Sequence, residues 1–200
     1  MDYFEVFGLP RRLGLDETAL RRRFHELARA HHPDFHQDAG AEARTRAEAT
    51  AALVNAAYRA LRDPIARIEY LVRLEEGRQT RESAAVTPAA PPALLQELFE
   101  IQEALEEARG GLDEATRARL AGERARLLER QRAEEHRLTG ALAAAWDAAA
   151  PEGRPPVLAA LKDALATRAY LRTVIDDIAA VLDPEDGTQG DETHVAHHRH

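Results

Sequence analysis

The sequence contains no cysteine, which excludes a disulfide framework and any metal site built from thiolates. It also lacks an apolar run approaching the roughly 20 residues that a membrane-spanning helix requires. Residues 1–9 carry acids where a secretory signal would carry basic residues, so we expect no export. These absences favour a cytoplasmic protein without a membrane partner.

Charge is distributed unevenly along the chain, whose formal net charge is −8. Residues 1–74 hold 12 arginines against 11 acidic residues, whereas residues 75–200 hold 15 basic residues against 24 acidic ones. A nearly neutral first part with a local basic cluster is therefore joined to an acidic second part. This division predicts two surfaces for two kinds of partner.

Hydrophobic periodicity predicts an all-α protein, because apolar residues recur at helical spacing and no strand alternation is present. Residues 1–74 are expected to form a small helical domain. Its helices are expected over residues 3–8, from Asp16 to about residue 31, and over residues 41–62 and 65–74.

The second part of the chain is expected to form a separate bundle. Residues 75–92 are rich in Ala, Thr, Ser and Pro and predict a linker. Residues 93–182 predict a three-helix bundle, and residues 183–200 a disordered polar tail. Helices are expected over residues 93–109, 113–149 and 157–182, with a turn at residues 151–156.

The tripeptide His32-Pro33-Asp34 ends the second predicted helix, whose inward face carries Leu20, Phe24, Leu27 and His31. Another face of the same helix is basic and leads to the tripeptide. That basic strip comprises Arg21, Arg22, His25, Arg29 and His32. Arginine is suited to multidentate pairing with carboxylates, so the strip predicts an acidic partner.

Three other interpretations of this helix compete with that one. A charge cluster is often an ordinary solvated face. An arginine-rich helix can grip nucleic-acid phosphates, although the acidity of the chain argues against a nucleic-acid partner. A metal site is the third interpretation, but two of its candidate ligands have other roles, so no metal is expected. Those candidate ligands are His25, His31, His32 and His36.

The helix over residues 93–109 carries two apolar faces. Leu94, Leu98, Ile101, Leu105 and Ala108 form one stripe, expected to be core. Leu95 and Phe99 project about 100–140° away from that stripe and lie among acids, as in a partner-binding patch. In the last helix, Tyr170 and Val174 also leave the main stripe of Leu161, Leu165, Arg168 and Ile175. A second contact site and a wide buried face both remain open for this pair.

The layout of residues 1–74 resembles the J-domain, on the strength of the basic helix, the His32-Pro33-Asp34 tip and the Leu-Arg-Asp-Pro end of the third helix. The resemblance implies that the protein docks on an Hsp70 and triggers ATP hydrolysis in the partner's own site. It implies neither an enzyme nor a cofactor, and no glycine loop for phosphate is present. The implied Hsp70-binding residues are Arg21, Arg22, His25, Arg29, His32, Pro33 and Asp34.

The chain to about residue 182 resembles the HscB-type J-proteins, the co-chaperones of iron–sulfur cluster assembly. The resemblance rests on the opening MDYFEVFGLP, on the segment IARIEYL and on LLQELFEIQEALEE. It implies a client, the scaffold protein on which clusters are built, and an Hsp70 partner of the dedicated HscA type or the general DnaK type. The implied scaffold-binding residues are Leu95, Gln96, Phe99, Glu100, Glu103, Glu107 and Tyr170.

Some residues depart from the HscB pattern. Phe35 follows the tripeptide where the family usually has a basic residue, and Gln96 stands where the family tends to have methionine. The first departure bears on the detail of Hsp70 docking and the second on scaffold affinity. The alternative function is that of a general J-domain co-chaperone serving other Hsp70 clients. The tail histidines could bind a metal ion weakly, although a disordered tail is favoured. These histidines are His194, His197, His198 and His200.

Overall fold

The structure, a computed structural model, describes residues 1–31, 40–77 and 95–183, and for residues 95–98 it describes only the backbone. All regular structure within these ranges is helical, which confirms the predicted all-α class. The predicted linker beyond Gly77 and the predicted tail beyond Asp183 lie outside the described residues.

Four helices form the N-terminal part of the chain. They are α1 (Tyr3–Val6), α2 (Glu17–Ala30), α3 (Ala41–Arg62) and α4 (Pro64–Glu75). Three of them begin at an aspartate, Asp2, Asp16 or Asp63, whose side chain accepts backbone N–H groups of the first turn. The rings of Phe24 and Tyr58 stack with centroids 4.1 Å apart and hold α2 against α3.

The C-terminal part is built on three long helices and one short helix. They are α5 (Leu95–Gly110), α6 (Glu114–Arg137), α7 (Ala143–Ala148) and α8 (Arg154–Leu182). A π-helical segment, Leu138–Leu142, joins α6 to α7. The helix expected over residues 113–149 is therefore interrupted where Gly140, a weak helix former, stands.

The beginning of α8 differs from the expected turn over residues 151–156. A short 3₁₀ helix spans Pro151–Gly153, and α8 begins at Arg154. Pro155 and Pro156 lie in the first turn of α8, where a proline costs no intrahelical hydrogen bond. The turn prediction is wrong beyond Gly153 for this reason.

Two hydrophobic cores meet along α8. The first buries N-terminal residues together with C-terminal ones, and Trp146 is only 1% exposed in it. The second is formed by α5, α6 and the later half of α8, around residues such as Ile101 and Leu171. The 29 residues of α8 run about 43 Å, so one helix contributes to both cores. Buried members of the first core include Phe4, Leu20, Leu61, Ile68, Trp146 and Leu161.

The segment leading into α2 is fastened to the C-terminal part by a carboxylate. The backbone N–H groups of Leu13 and Gly14 donate to the two oxygens of Asp147 in α7, each at 2.8 Å. On the other side, the buried guanidinium of Arg67 donates to the carbonyl oxygens of Leu13 and Leu61. We call these contacts the Leu13–Gly14 clamp.

Replacing Gly14 by alanine tests this clamp. A Cβ at residue 14 would lie 3.0 Å from Oδ2 of Asp147, and the carboxylate cannot retreat without stretching its two hydrogen bonds. Gly14→Ala is therefore expected to lower the free energy of unfolding by about 1 kcal/mol. Urea unfolding followed by the fluorescence of Trp146, the single tryptophan, measures the change.

Gly122→Ala is the matched control. Gly122 lies inside α6, and a Cβ there would meet no atom within 4 Å. Because alanine is the better helix former, this variant should gain roughly 0.5–1 kcal/mol. A Gly14→Ala protein as stable as the wild type would contradict the proposed geometry of the clamp.

Candidate partner-binding surfaces

The exposed face of α2 carries the predicted basic strip. Leu20 is buried, and Phe24 and Leu27 are half-buried against the first core, which leaves the opposite side of the helix in solvent. Arg21, Arg22, His25 and Arg29 are all exposed on that side. Within the described ranges, none of these three arginines forms an ion pair. The strip therefore presents positive charge that is available to an acidic partner.

Arg23 behaves differently from its neighbours on α2. Its guanidinium pairs with Glu26 at 3.0 Å, three residues along the same helix. Half of each side chain remains in solvent, so this pair adds little stability. It does neutralise one arginine of α2, so the arginines of this helix that have no carboxylate partner among the described residues are those of the strip.

The tip of the predicted site, His32-Pro33-Asp34, and also Phe35 and His36, lie outside the described residues. The described backbone leaves α2 at His31 and resumes at Gly40, just before α3. His31, expected to face inward, is half-buried.

A groove beside α2 adds a residue that the sequence did not single out. It has a volume of about 360 Å³ and is bordered by Arg21 of α2 and Arg62 of α3. The guanidinium of Arg62 lies 5.9 Å from the centre of the Tyr58 ring, which limits its freedom. Arg62 thus extends the positive surface around Arg21, although Glu17 and Asp63 also border the groove.

Phe99 on α5 is the large apolar residue that stands out on the C-terminal part. Its side chain is 72% exposed, whereas Ile101 and Ala104 on the other side of α5 are each 1% exposed. The predicted core stripe is thus confirmed for Ile101 and Ala108, and Leu105 is half-buried. The side chains of Leu94, Leu95, Gln96 and Leu98 lie outside the described residues.

A groove of about 680 Å³ runs between α5 and α8 next to Phe99. Glu103, Glu106 and Asp177 line it together with the apolar Leu105 and Val181. One arginine, Arg109, also borders it. This groove joins an aromatic ring and aliphatic carbon to an excess of negative charge, which suits a partner carrying both apolar and basic side chains.

Tyr170 lies on the groove side of α8. Its position is two turns before Asp177 and three turns before Val181 on the same line of the helix. Tyr170 is half-buried against the second core, and this burial raises the pKa of its phenol, with Asp177 acting in the same direction. Val174 is 8% exposed and belongs to the core, so for this residue the interpretation as a contact site is wrong.

The acids of α5 divide between two edges of the helix. Glu103 lies on the groove side of α5. Glu100 and Glu107 lie toward the opposite edge, and Glu107 pairs with Arg119 of α6. The predicted patch therefore wraps around the outer surface of α5 rather than forming one flat face.

Residues 1–31, 40–77 and 95–183 contain neither a candidate metal site nor a candidate membrane-spanning helix. No group of three or more His, Asp or Glu side chains there is arranged to hold a metal ion. No helix in the described part of the chain is both long enough and apolar enough to cross a membrane.

Two family models match this chain, one in each part. The family model described as "DnaJ domain" matches residues 2–70, and the one described as "HSCB C-terminal oligomerisation domain" matches residues 90–154. Together these ranges cover more than half of the chain. The chain belongs to the HscB family of J-domain proteins.

Two HscB structures resemble this chain over most of its length. Chaperone HscB from Vibrio cholerae is 27% identical, with a TM-score of 0.58, and the match covers 92% of this chain and 99% of that one. Human co-chaperone protein HscB is 23% identical, with a TM-score of 0.61, and the match covers 92% of this chain and 84% of that one. The human protein shares the fold. The predicted HscB-type resemblance is confirmed.

The family matches cover the two surfaces unequally in this HscB-family chain. The DnaJ range includes all of the basic strip and the tripeptide. The C-terminal range includes α5 with Phe99 but stops at Arg154, the first residue of α8. Tyr170 and the α8 side of the groove lie beyond it.

Sequence reasoning missed several residues of these surfaces. Arg62 could have been found from the Leu-Arg-Asp-Pro end of α3, because the antiparallel pairing of α2 and α3 returns that end to Arg21. Asp177 and Val181 follow Tyr170 at helical spacing, so the position of Tyr170 pointed to them. Asp147 carried no signal, because its partners are backbone groups more than 130 residues away in sequence.

Truncating Phe99 should separate binding from stability in this HscB-family protein. Since Phe99 is already mostly in solvent, Phe99→Ala should change the free energy of unfolding by less than about 0.5 kcal/mol. Ile101→Ala, two residues away and buried, should cost roughly 2–5 kcal/mol. Urea unfolding followed by far-ultraviolet circular dichroism measures both. Equal losses in the two variants would show that Phe99 is a structural residue.

Proposed function

We propose that this HscB-family protein binds an iron–sulfur cluster scaffold protein, delivers it to an Hsp70 in the cytoplasm, and stimulates ATP hydrolysis by that Hsp70. The observation that carries the proposal is one chain bearing two exposed surfaces of opposite charge. One is the basic strip of α2, whose arginines form no ion pair with the described residues and which leads to His32-Pro33-Asp34. The other is the acidic, Phe99-bearing surface of α5. In this proposal, residues 1–74 serve the Hsp70 and residues 93–182 serve the client.

The Hsp70 side of the proposal rests on charge and position. Arg21, Arg22, His25 and Arg29 are exposed, and no carboxylate among the described residues engages the three arginines. An acidic Hsp70 surface could pair with them without displacing an internal partner, so little binding energy is spent on breaking contacts. His32, Pro33 and Asp34 then make the contacts that trigger hydrolysis.

The client side rests on the exposed ring of Phe99 and the acids around it. A large aromatic group surrounded by polar residues is typical of an energetic centre in a protein interface. Leu95, Gln96, Phe99, Glu100, Glu103, Glu107 and Tyr170 are proposed to contact the scaffold. The groove between α5 and α8 gives that scaffold a concave surface beside Phe99.

The proposed mechanism involves no chemistry by this protein. Binding the scaffold and the Hsp70 on one chain raises the effective concentration of client at the Hsp70 peptide site. Hydrolysis takes place in the Hsp70 and traps the client there. The protein is accordingly proposed to be an adaptor, with no cofactor and no catalytic residue of its own.

His32→Gln tests the Hsp70 half of the proposal. Single-turnover ATP hydrolysis by Hsp70 should be accelerated by the wild-type protein, and the acceleration should be roughly ten-fold weaker or worse with His32→Gln. Arg73→Ala, an exposed arginine on α4 away from the strip, serves as the control and should stimulate normally. If wild type and His32→Gln stimulate equally, the J-domain does not act through the tripeptide.

Leu95→Ala combined with Phe99→Ala tests the client half. Calorimetric titration with the iron–sulfur scaffold should show affinity reduced roughly ten-fold or more, because the proposed apolar centre is lost. Stimulation of Hsp70 without scaffold should stay normal, since α2 is untouched. The control is Glu129→Ala with Arg132→Ala, two exposed positions on α6 outside the patch.

Normal scaffold binding by the Leu95→Ala, Phe99→Ala protein would reject the proposed patch. If the wild type stimulates Hsp70 but binds no scaffold, the alternative holds. The protein is then a general J-domain co-chaperone for other Hsp70 clients.

A further inference from the structure

The Leu13–Gly14 clamp joins the segment before α2, in the N-terminal part of the chain, to α7 in the C-terminal part. Leu13 and Gly14 stand three residues and two residues, respectively, before the Asp16 N-cap of α2. Both carboxylate oxygens of Asp147 accept their consecutive N–H groups at 2.8 Å. A carboxylate with both oxygens engaged by adjacent amides fixes direction as well as distance. The start of α2 is therefore held by a side chain of α7.

Gly14 permits this close approach. Oδ2 of Asp147 would lie 3.0 Å from a Cβ at residue 14, so a larger residue would press on the carboxylate. The glycine has no positive φ to explain its presence there. Its fit with Asp147, across 133 residues of sequence, is specific to this interface.

Arg67 supports the same segment from the N-terminal side. It is 3% exposed, and its guanidinium donates to the carbonyl oxygens of Leu13 and Leu61. Burial lowers the pKa of this guanidinium, and the negative charges of Glu17, Asp63 and Asp147 oppose that shift. Arg67 and Asp147 thus carry opposite charges on either side of the Leu13 peptide. Their attraction is stronger here than at an exposed site because water is largely excluded around Arg67.

The clamp sits against the first core, beside Trp146. Trp146 precedes Asp147 in α7 and is 1% exposed among residues of both parts of the chain. The guanidinium of Arg154, at the start of α8, lies 5.0 Å from the centre of the indole. Lys162 of α8 also pairs with Glu76, at the end of α4, at 2.6 Å. Arg154 and Trp146 both belong to the C-terminal part, whereas the Lys162–Glu76 ion pair acts across the same boundary as the apolar burial.

From this geometry we propose that Asp147 is a positioning residue that fixes the direction of α2 relative to α8, and hence the angle between the Hsp70-facing and client-facing surfaces. Apolar burial alone is non-directional and would tolerate sliding or rocking of the two parts. The paired hydrogen bonds to Leu13 and Gly14 select one orientation. Because α8 extends from the first core into the second, that orientation extends to the α5–α8 groove.

A distance measurement tests the positioning role independently of any partner. The chain has no cysteine, so Glu26→Cys on α2 and Ala121→Cys on α6 give two unique spin-label sites, both exposed. Double electron–electron resonance on the full chain should show one narrow distance distribution. With Asp147→Ala the distribution should broaden by about two-fold or more, and with Asp147→Asn, which keeps one acceptor oxygen, by less.

Asp163→Ala is the matched control. Asp163 is an exposed aspartate on α8, and its substitution should leave the distance distribution narrow. Urea unfolding followed by Trp146 fluorescence checks that every variant is folded under the conditions of measurement. A distribution that stays narrow in folded Asp147→Ala would overturn the proposal, because the core alone would then fix the angle.

The consequence for activity rests on the proposed function. In Asp147→Ala, scaffold affinity alone and Hsp70 stimulation alone should remain within about two-fold of wild type, because neither surface is altered. The extra stimulation given by bound scaffold should fall roughly five-fold or more, since the client is no longer held at one place. Asp147→Asn should recover part of it. Unchanged extra stimulation in a protein with a broadened distribution would overturn the functional importance of the angle.

Failure of the proposed function and failure of the positioning role of Asp147 give different results. If the wild type itself shows no extra stimulation by scaffold, the proposed function is wrong, and the distance distributions still decide whether Asp147 positions α2.

Discussion

The first hydrophobic core, which buries Trp146 together with side chains of the N-terminal helices, is the contact on which the arrangement of the two surfaces depends. The indole is 1% exposed in a core that also contains Phe4 from α1 and Leu161 from α8. Burying a side chain of this size contributes several kcal/mol of hydrophobic stabilisation, although without preferred direction. The clamp at Leu13 and Gly14 supplies the direction. Together they make the boundary between the two parts a packed interface rather than a hinge.

Positive and negative charge lie on different parts of this packed structure, which suits an adaptor with two partners. The arginines of the α2 strip have no acidic partner in the described ranges, whereas α5 and the facing part of α8 present a majority of carboxylates. Such surfaces steer partners of opposite sign and increase association rates more than final affinity. An Hsp70 with an acidic docking surface and a basic or mixed client would be drawn to different parts of the molecule. Because the two parts of the chain are packed together, each partner would bind its surface in a defined orientation.

Helix boundaries and core stripes could be predicted from sequence because they depend on local spacing and capping. Asp16 begins a helix as expected, and Ile101 and Ala108 are buried as their periodicity indicated. The exposure of Phe99 followed from the same geometry. The start of α8 was misjudged since two prolines suggest a turn but also fit a first helical turn.

Contacts between distant segments could not be predicted. Arg67 appears in sequence as an ordinary helical arginine, and nothing local indicates that it is 3% exposed and donates to Leu13. Asp147 binds backbone N–H groups, which every residue except proline possesses, so no side-chain pattern reveals the pairing. The first core, which both parts of the chain share, could not be predicted either, because periodicity identifies a buried face without identifying what covers it. For these reasons the chain appeared from sequence as two tethered domains.

The proposed function requires one chain to hold an Hsp70 and an iron–sulfur scaffold at the same time. Sedimentation velocity of fluorescently labelled scaffold, with saturating amounts of this 22.2-kDa protein and of ATP-bound Hsp70, tests it most directly. We expect a single fast-sedimenting species that contains all three proteins. If Hsp70 instead displaces the labelled scaffold from the chain, the two surfaces compete and the protein is not the adaptor proposed here.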